Sequence, residues 1–341
     1  MKIPTLDDLR PYIEAGLIKA TRSTRYPDLT VYNYTPKCTY SGAWDDITRQ
    51  CRGLILGDNG HCHARPWPKF FNLGEKHAED PPQREPDSVA VKEDGSLGIG
   101  FFYQGSIVWS TRGTLDSDQA KVAQRIWDDR YAKFAHVFEG FTLLCEIVGP
   151  ETKIILEYPD PDLICLGMIL NDSGRDLTPR SCGDFCGHIG MSLVEEVSYT
   201  LDELKALKST LPATAEGYVM RWGDLRLKVK GDAYVRIARV LSGFNERRVG
   251  DIWYLGEDLP DCLPEESREW ADGIIAELNA SLEIIEAGAS DLLARFDSPK
   301  RMAMVAKTDP AFSIAVNRLR GKTADPRLVV YRARFGGVPR K

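Results

Sequence analysis

No stretch of this sequence approaches the about twenty apolar residues that a membrane-crossing helix needs. The opening Met1-Lys2-Ile3-Pro4 does not read as a secretory signal. Eight cysteines are scattered over 341 residues without framework spacing, so reduced thiols and a cytoplasmic setting are expected. Metal motifs are equally scarce. Cys182, Cys186 and His188 have no local fourth ligand for a structural zinc. His61-Cys62-His63 alternates along a strand, which splits the histidines from the cysteine. Gly95-x-x-Gly98-x-Gly100 runs into a strand rather than a helix N-terminus, which excludes a phosphate loop. There is no internal repeat and no low-complexity segment. The net charge of −6 excludes a general polycation, so any phosphate-bearing partner needs a local basic surface.

What is present is an ordinary globular composition, 43% hydrophobic and 28% charged, enough for two or three domains. Charge is segregated late in the chain. Residues 250–291 hold twelve Asp/Glu against one Arg, and residues 292–341 hold twelve Lys/Arg against three Asp. This predicts either a basic face or two segments that pair with each other.

Thr5-x-x-Asp8 and Gly16 bracket a helix over 6–15. Strands are predicted over 29–35, then over 52–56 and 61–65 about the turn 57–60. Residues 88–92, 96–103 and 106–111 read as a three-strand meander, followed by helical spacing over 116–130. Strands follow over 141–148, 153–158 and 163–170, then a helix capped by Thr200 and Glu203, and a hairpin of 216–222 with 225–230. From residue 232 the spacing is helical: 232–241, 264–287, 310–320 and 326–335, the last two opened by Asp-Pro.

The chemistry centres on Val91-Lys92-Glu93-Asp94-Gly95-Ser96. Asp-Gly is turn chemistry, so Lys92 ends a strand at the mouth of whatever pocket the turn borders. A lysine amine becomes a nucleophile when burial or nearby cations disfavour its protonated form. The bland alternative is a solvated lysine on a hairpin. Other residues on strands or pocket-facing alternations join it in order: Arg52, Lys69, Glu146, Glu216, Lys228 and Lys230. Four cations and two carboxylates suit a triphosphate and a divalent metal. Here too there are alternatives: Glu146 as a structural ion pair, and Lys228 with Lys230 as a solvated strand face. Trp67, Phe70, Phe71 and Tyr158 either stack on a base or belong to the core.

The set resembles the covalent nucleotidyltransferases, and most closely the phage-type RNA ligase 1 family. Lys92-Glu93-Asp94-Gly95-Ser96 resembles the family's lysine motif, and residues 51–53 with 64–72 resemble the block before it. Ser110-Thr111-Arg112-Gly113 with Asp118-Gln119-Ala120 resembles another block, with Arg112 standing where lysine is expected. The match runs over about 30–239.

The resemblance implies an α+β fold with a mixed/antiparallel-sheet nucleotidyltransferase (ATP-grasp-like ligase) domain over 1–245. The tail beyond about residue 250 matches nothing in the family, and its helical spacing predicts a small all-α C-terminal domain over 246–341. It implies an ATP-dependent RNA ligase that uses Mg2+ or Mn2+. Lys92 would attack the α-phosphate and form a lysyl-adenylate. Lys228 and Lys230 would contact that phosphate and favour the unprotonated amine. Arg52 and Lys69 would bind the outgoing phosphates or the RNA end, Glu146 the ribose or nearby polar groups, and Glu216 the metal, directly or through water. The expected partner is RNA with 5′-phosphate and 3′-hydroxyl ends, nicked tRNA included, joined by a monomeric protein away from membranes. The alternatives are a GTP-using capping-type enzyme, a DNA ligase, or an RNA-binding protein on an inactive ligase scaffold.

Overall fold

The structure, a computed structural model, describes residues 2–260, 263 and 265–340. It divides into two units, Met1–Val235 and Arg236–Lys341. The division falls inside the helix Asp232–Gly243 rather than after residue 245.

Three sheets build the first unit. One is a meander of β1 (Ile18–Arg22), β2 (Leu29–Tyr34), β3 (Arg52–Gly57) and β4 (Cys62–Ala64). The second has the order β10 (Asp162–Leu170), β9 (Phe141–Val148), β7 (Ser96–Tyr103), β8 (Ser106–Thr111), antiparallel throughout. The third has the order β11 (Glu196–Val197), β6 (Ser88–Val91), β12 (Gly217–Trp222), β13 (Leu225–Lys230), β5 (Phe71–Asn72). Its β13–β5 pair is parallel, so the unit is mixed as expected.

The meander expected over 88–111 is corrected in a way that matters for the site. β7 and β8 pair as predicted, but β6 pairs with β11 and β12 in the other sheet. The segment Lys92 to Gly95 is the crossing between sheets, which the sequence reads only as a turn. Residues 153–158 form no strand. Asp94 captures the amides of Ile155 and Leu156 at 2.8 and 2.7 Å, so those groups are unavailable to a ladder. A helix that was not anticipated, Pro179–Ile189, starts on a Thr178 N-cap and packs Cys182 and Cys186 into the core beside β10.

The second unit is helical among its described residues: Glu246–Leu255, Glu265–Arg295, Pro299–Ala306, Phe312–Leu319 and Pro326–Phe335. The expected start at Pro264 lies outside the described residues. Asp325 caps the last helix with Pro326 behind it, as predicted. Asp309 instead accepts from Ala311 N, a turn that delays its helix to Phe312. Leu278, Met302, Ile314, Val330 and Tyr331 form this unit's core. No helix of the described residues is long and apolar enough to cross a membrane.

Candidate active site

Lys92 follows the last residue of β6, where its amide donates to Gly217 O at 2.9 Å. That bond fixes it beside Glu216. Gly217 has φ +143°, and a Cβ there would stand 2.0 Å from Val229 O, so only glycine lets β12 begin this close to β13. The Lys92 Nζ is 2.8 Å from Glu216 Oε2, and Lys230 Nζ is 2.7 Å from Glu216 Oε1. One buried carboxylate therefore bridges the candidate nucleophile and a second lysine.

Gly95 completes the crossing. Its amide donates to Glu146 Oε1 at 3.1 Å, and a Cβ would lie 2.4 Å from Ile147 O. Burial pushes the Glu146 carboxyl up to about 7, and nearby Glu216 adds to this against the opposing pull of Lys92 and Arg52. Asp94, itself buried, also accepts from the Tyr234 hydroxyl at 2.7 Å. Tyr158 does not present itself as a stacking ring: its hydroxyl donates to Glu93 at 2.7 Å and accepts from Asp94 N at 3.0 Å. It secures the turn.

β13 supplies a row of cations. Alternation puts Arg226, Lys228 and Lys230 on one face, and all three line a cavity of about 320 Å³ with Lys92, Arg52 and Glu146. Burial, with Lys69, Arg52, Lys230 and Lys92 nearby, brings the Lys228 ammonium down to about 7. Burial likewise lowers Lys69 and Arg52. Lys228 Nζ and the Arg52 guanidinium lie 5.4 and 5.2 Å from the Phe70 ring centre, and Lys69 Nζ lies 4.4 Å from that of Phe71. These aromatics therefore steady cations. Among the described residues, Arg52 Nη1 is buried with no hydrogen-bond partner, a donor waiting for an anion.

Arg226 was not anticipated, although it continues the period of Lys228 and Lys230. It pairs with Asp176, which also accepts from Trp67 Nε1 at 3.1 Å and faces Arg221 at 3.6 Å. Burial lowers the Arg226 guanidinium to about 9. This saturated network walls one side of the cavity, while Leu97, Leu166 and Val219 give it an apolar lining suited to a base. Six of the seven expected charged residues thus meet around the Lys92 turn, and the seventh, Lys69, lies over the Phe71 ring.

The expected metal ligand, Glu216, has both oxygens engaged by lysines. Among the described residues no three His, Cys, Asp or Glu side chains gather as a metal cage. Glu216 and Glu146 are two carboxylates of the kind that a hard divalent cation, held otherwise by waters and substrate phosphates, would use. Cys182 and Cys186 are core thiols, and His188 packs its ring against Phe134 instead.

Residues 50–234 match the model of a family described as RNA ligase. The chain belongs to the RNA ligase family. RNA ligase 1 of bacteriophage TS2126 is 25% identical over 292 residues, which cover 75% of this chain and 69% of the phage protein. Among solved structures, an archaeal ATP-dependent RNA ligase superposes with a TM-score of 0.50 at 16% identity. That likeness covers 81% of this chain and 71% of the archaeal one, and it shows the shared nucleotidyltransferase fold. The phage-type RNA ligase expectation, the α+β class and the assignment as a ligase are all borne out.

Proposed function

We propose that this RNA ligase uses ATP to join a 5′-phosphate to a 3′-hydroxyl through a lysyl-AMP and an RNA-adenylate. The observation that carries the reading is Lys92 Nζ held 2.8 Å from Glu216 at the wall of a cavity that Arg52, Lys228 and Lys230 also line. In the first step Lys92 Nζ forms a bond to the α-phosphorus, and the bond to pyrophosphate breaks. The proton leaves Nζ, and Glu216 Oε2 is the base within reach. Lys228, Lys230, Arg52 and Lys69 bind phosphate oxygens, and Glu146 contacts the ribose. The 5′-phosphate of RNA then attacks the same phosphorus and Lys92 leaves. Finally the 3′-hydroxyl attacks the activated 5′-phosphate, and AMP departs. Positioning and charge neutralisation carry each transfer. Glu216, with Glu146 beside it, would hold Mg2+ or Mn2+, and the ion would neutralise charge on the phosphates.

The seven described cysteines are free, which supports action in the cytoplasm. The helical unit is the candidate for choosing RNA such as nicked tRNA, with the protein acting as a monomer. The test is intact mass after incubation with magnesium and ATP, or GTP, for the wild type and Lys92→Ala. The reading expects an adenylate on the wild type alone and no guanylate. A guanylate would favour capping-type chemistry, and no adduct at all would leave an RNA-binding protein on a ligase scaffold.

A further inference from the structure

Beside the phosphate cradle lies a row of aromatic rings, Phe71 buried at its inner end and Tyr34 and Trp44 half-buried. Tyr34 of β2 and Trp44 meet edge to face at 4.9 Å between centres, and Trp44 meets Phe71 of β5 at 5.6 Å. Cations are interleaved with the rings. The Arg112 guanidinium sits 5.1 Å over Tyr34 and donates to its hydroxyl at 2.8 Å, while Lys69 Nζ is 4.4 Å from Phe71 and 5.8 Å from Trp44. Among the described residues, Tyr34, Trp44 and Phe71 belong to none of the buried apolar clusters. Tyr34 and Trp44 are only half-buried, and Arg112 is exposed. Gly53 makes the juxtaposition possible. A Cβ there would lie 3.2 Å from Arg112 Cα, so the glycine lets β3 run against the Arg112 backbone and brings Arg52 and Arg112 together.

Interleaved rings and cations beside a phosphate site are the chemistry of a single-stranded nucleic-acid track: each base has a face to stack, and each phosphate a charge to meet. The reaction decides which strand. Attacking and leaving groups at a transferred phosphorus stand roughly in line. Pyrophosphate leaves opposite Lys92 in the first step, and Lys92 leaves in the second. The incoming 5′-phosphate must therefore enter from the side that pyrophosphate vacated, which on the ligase reading is the side of the phosphate-binding Arg52 and Lys69. The row touches both: Lys69 Nζ lies against Phe71 and Trp44, and Gly53 brings Arg52 beside Arg112.

We propose that Tyr34, Trp44 and Arg112 form the docking track for the 5′-phosphorylated RNA strand, with Trp44 stacking on a base near that end. The assignment of strand rests on the ligase reading above; the presence of a single-strand track does not. It is tested by the binding of fluorescent single-stranded RNA, 5′-phosphorylated or 5′-hydroxyl, to wild type, Trp44→Ala and Trp44→Phe. Intact mass with ATP is recorded in parallel.

The proposal expects 5′-phosphate RNA affinity to fall roughly ten-fold in Trp44→Ala. Trp44→Phe should restore most of the affinity, and the adenylate should still form on Trp44→Ala. Unchanged affinity in Trp44→Ala would overturn the track. Loss of adduct and affinity together, without rescue by Trp44→Phe, would overturn it too, since Trp44 would then be a strut of the ATP pocket. Equal, Trp44-dependent binding of 5′-hydroxyl RNA would overturn the strand assignment. Trp44-dependent binding by a wild-type protein that forms no adduct would confirm the track and reject the ligase reading.

Discussion

Glu216 holds Lys92 Nζ at 2.8 Å with one oxygen and Lys230 Nζ at 2.7 Å with the other. The carboxylate is almost wholly buried and the two lysines only partly so. On the proposed reading this one group aims the nucleophile, takes its proton and keeps a second cation beside the phosphorus that reacts. Glu216→Gln keeps the shape and removes the base and the charge. Adenylate formation is expected to slow on the order of 10²-fold or more. Timed intact-mass measurements, on protein whose far-UV circular dichroism matches the wild type, would show it. A loss below about three-fold would remove Glu216 from the proton path.

Lys228 is expected to make ATP binding pH-dependent, because burial and the neighbouring cations bring its ammonium down to about 7. A bound triphosphate favours the charged form and raises that value, so affinity is level below about 7 and falls as pH climbs, by up to about ten-fold per unit. Calorimetry in the Lys92→Ala background, which cannot turn over, would trace the profile. Lys228→Arg should flatten it. Glu146 also titrates at about 7, so Glu146→Gln must retain the fall if Lys228 is its cause.

Asp94 is anchored by Tyr234 OH and by the amides of Ile155 and Leu156. Tyr234→Phe removes one donor from a buried acceptor. About 1.5–3 kcal/mol of stability is expected to go, as a lower urea midpoint with the slope unchanged. An unchanged midpoint would mean that the two amides hold Asp94 on their own.

Much of this site was legible because period-two alternation fixes which side chains share a face. Lys228 and Lys230 could be placed together from the sequence, and Arg226 could have joined them by the same rule. The Thr5 and Thr200 caps were equally readable, because a capping box closes within four residues. The meander was misread because a crossing between sheets looks locally like a hairpin. What distinguishes them is Asp94 reaching residues 155, 156 and 234, contacts with no local trace. Residues 153–158 have the composition of a strand, and the Asp94 contacts overrode it. The pairing of Tyr34 with Arg112 spans 78 positions and leaves no pattern to find.

Gly95 tests the steric side of the same turn. A Cβ there would meet Ile147 O at 2.4 Å and Glu146 Cγ at 3.1 Å, so Gly95→Ala must push the crossing off β9. Adenylate formation is expected to fall on the order of 10²-fold, as for a misplaced reacting group. A near-normal rate would show that the crossing moves freely.

The charge segregation of the tail resolves in part as pairing between its basic and acidic residues. Arg318 pairs with Glu286, and Arg334 with Glu246 and Glu277, so part of the basic segment is neutralised by acidic residues of the same unit. Lys300, Lys307 and Lys322 are exposed and have no ion pair among the described residues. Deleting residues 292–341 would remove Ile314, Val330 and Tyr331 from the core of this unit, so truncation would test folding rather than recognition. Charge removal is the cleaner probe. If these lysines meet phosphates, Lys300→Ala, Lys307→Ala and Lys322→Ala together should weaken nicked-tRNA binding. The slope of log affinity against log salt should also become shallower by about 2. An unchanged slope across several salt concentrations would remove the tail from RNA recognition.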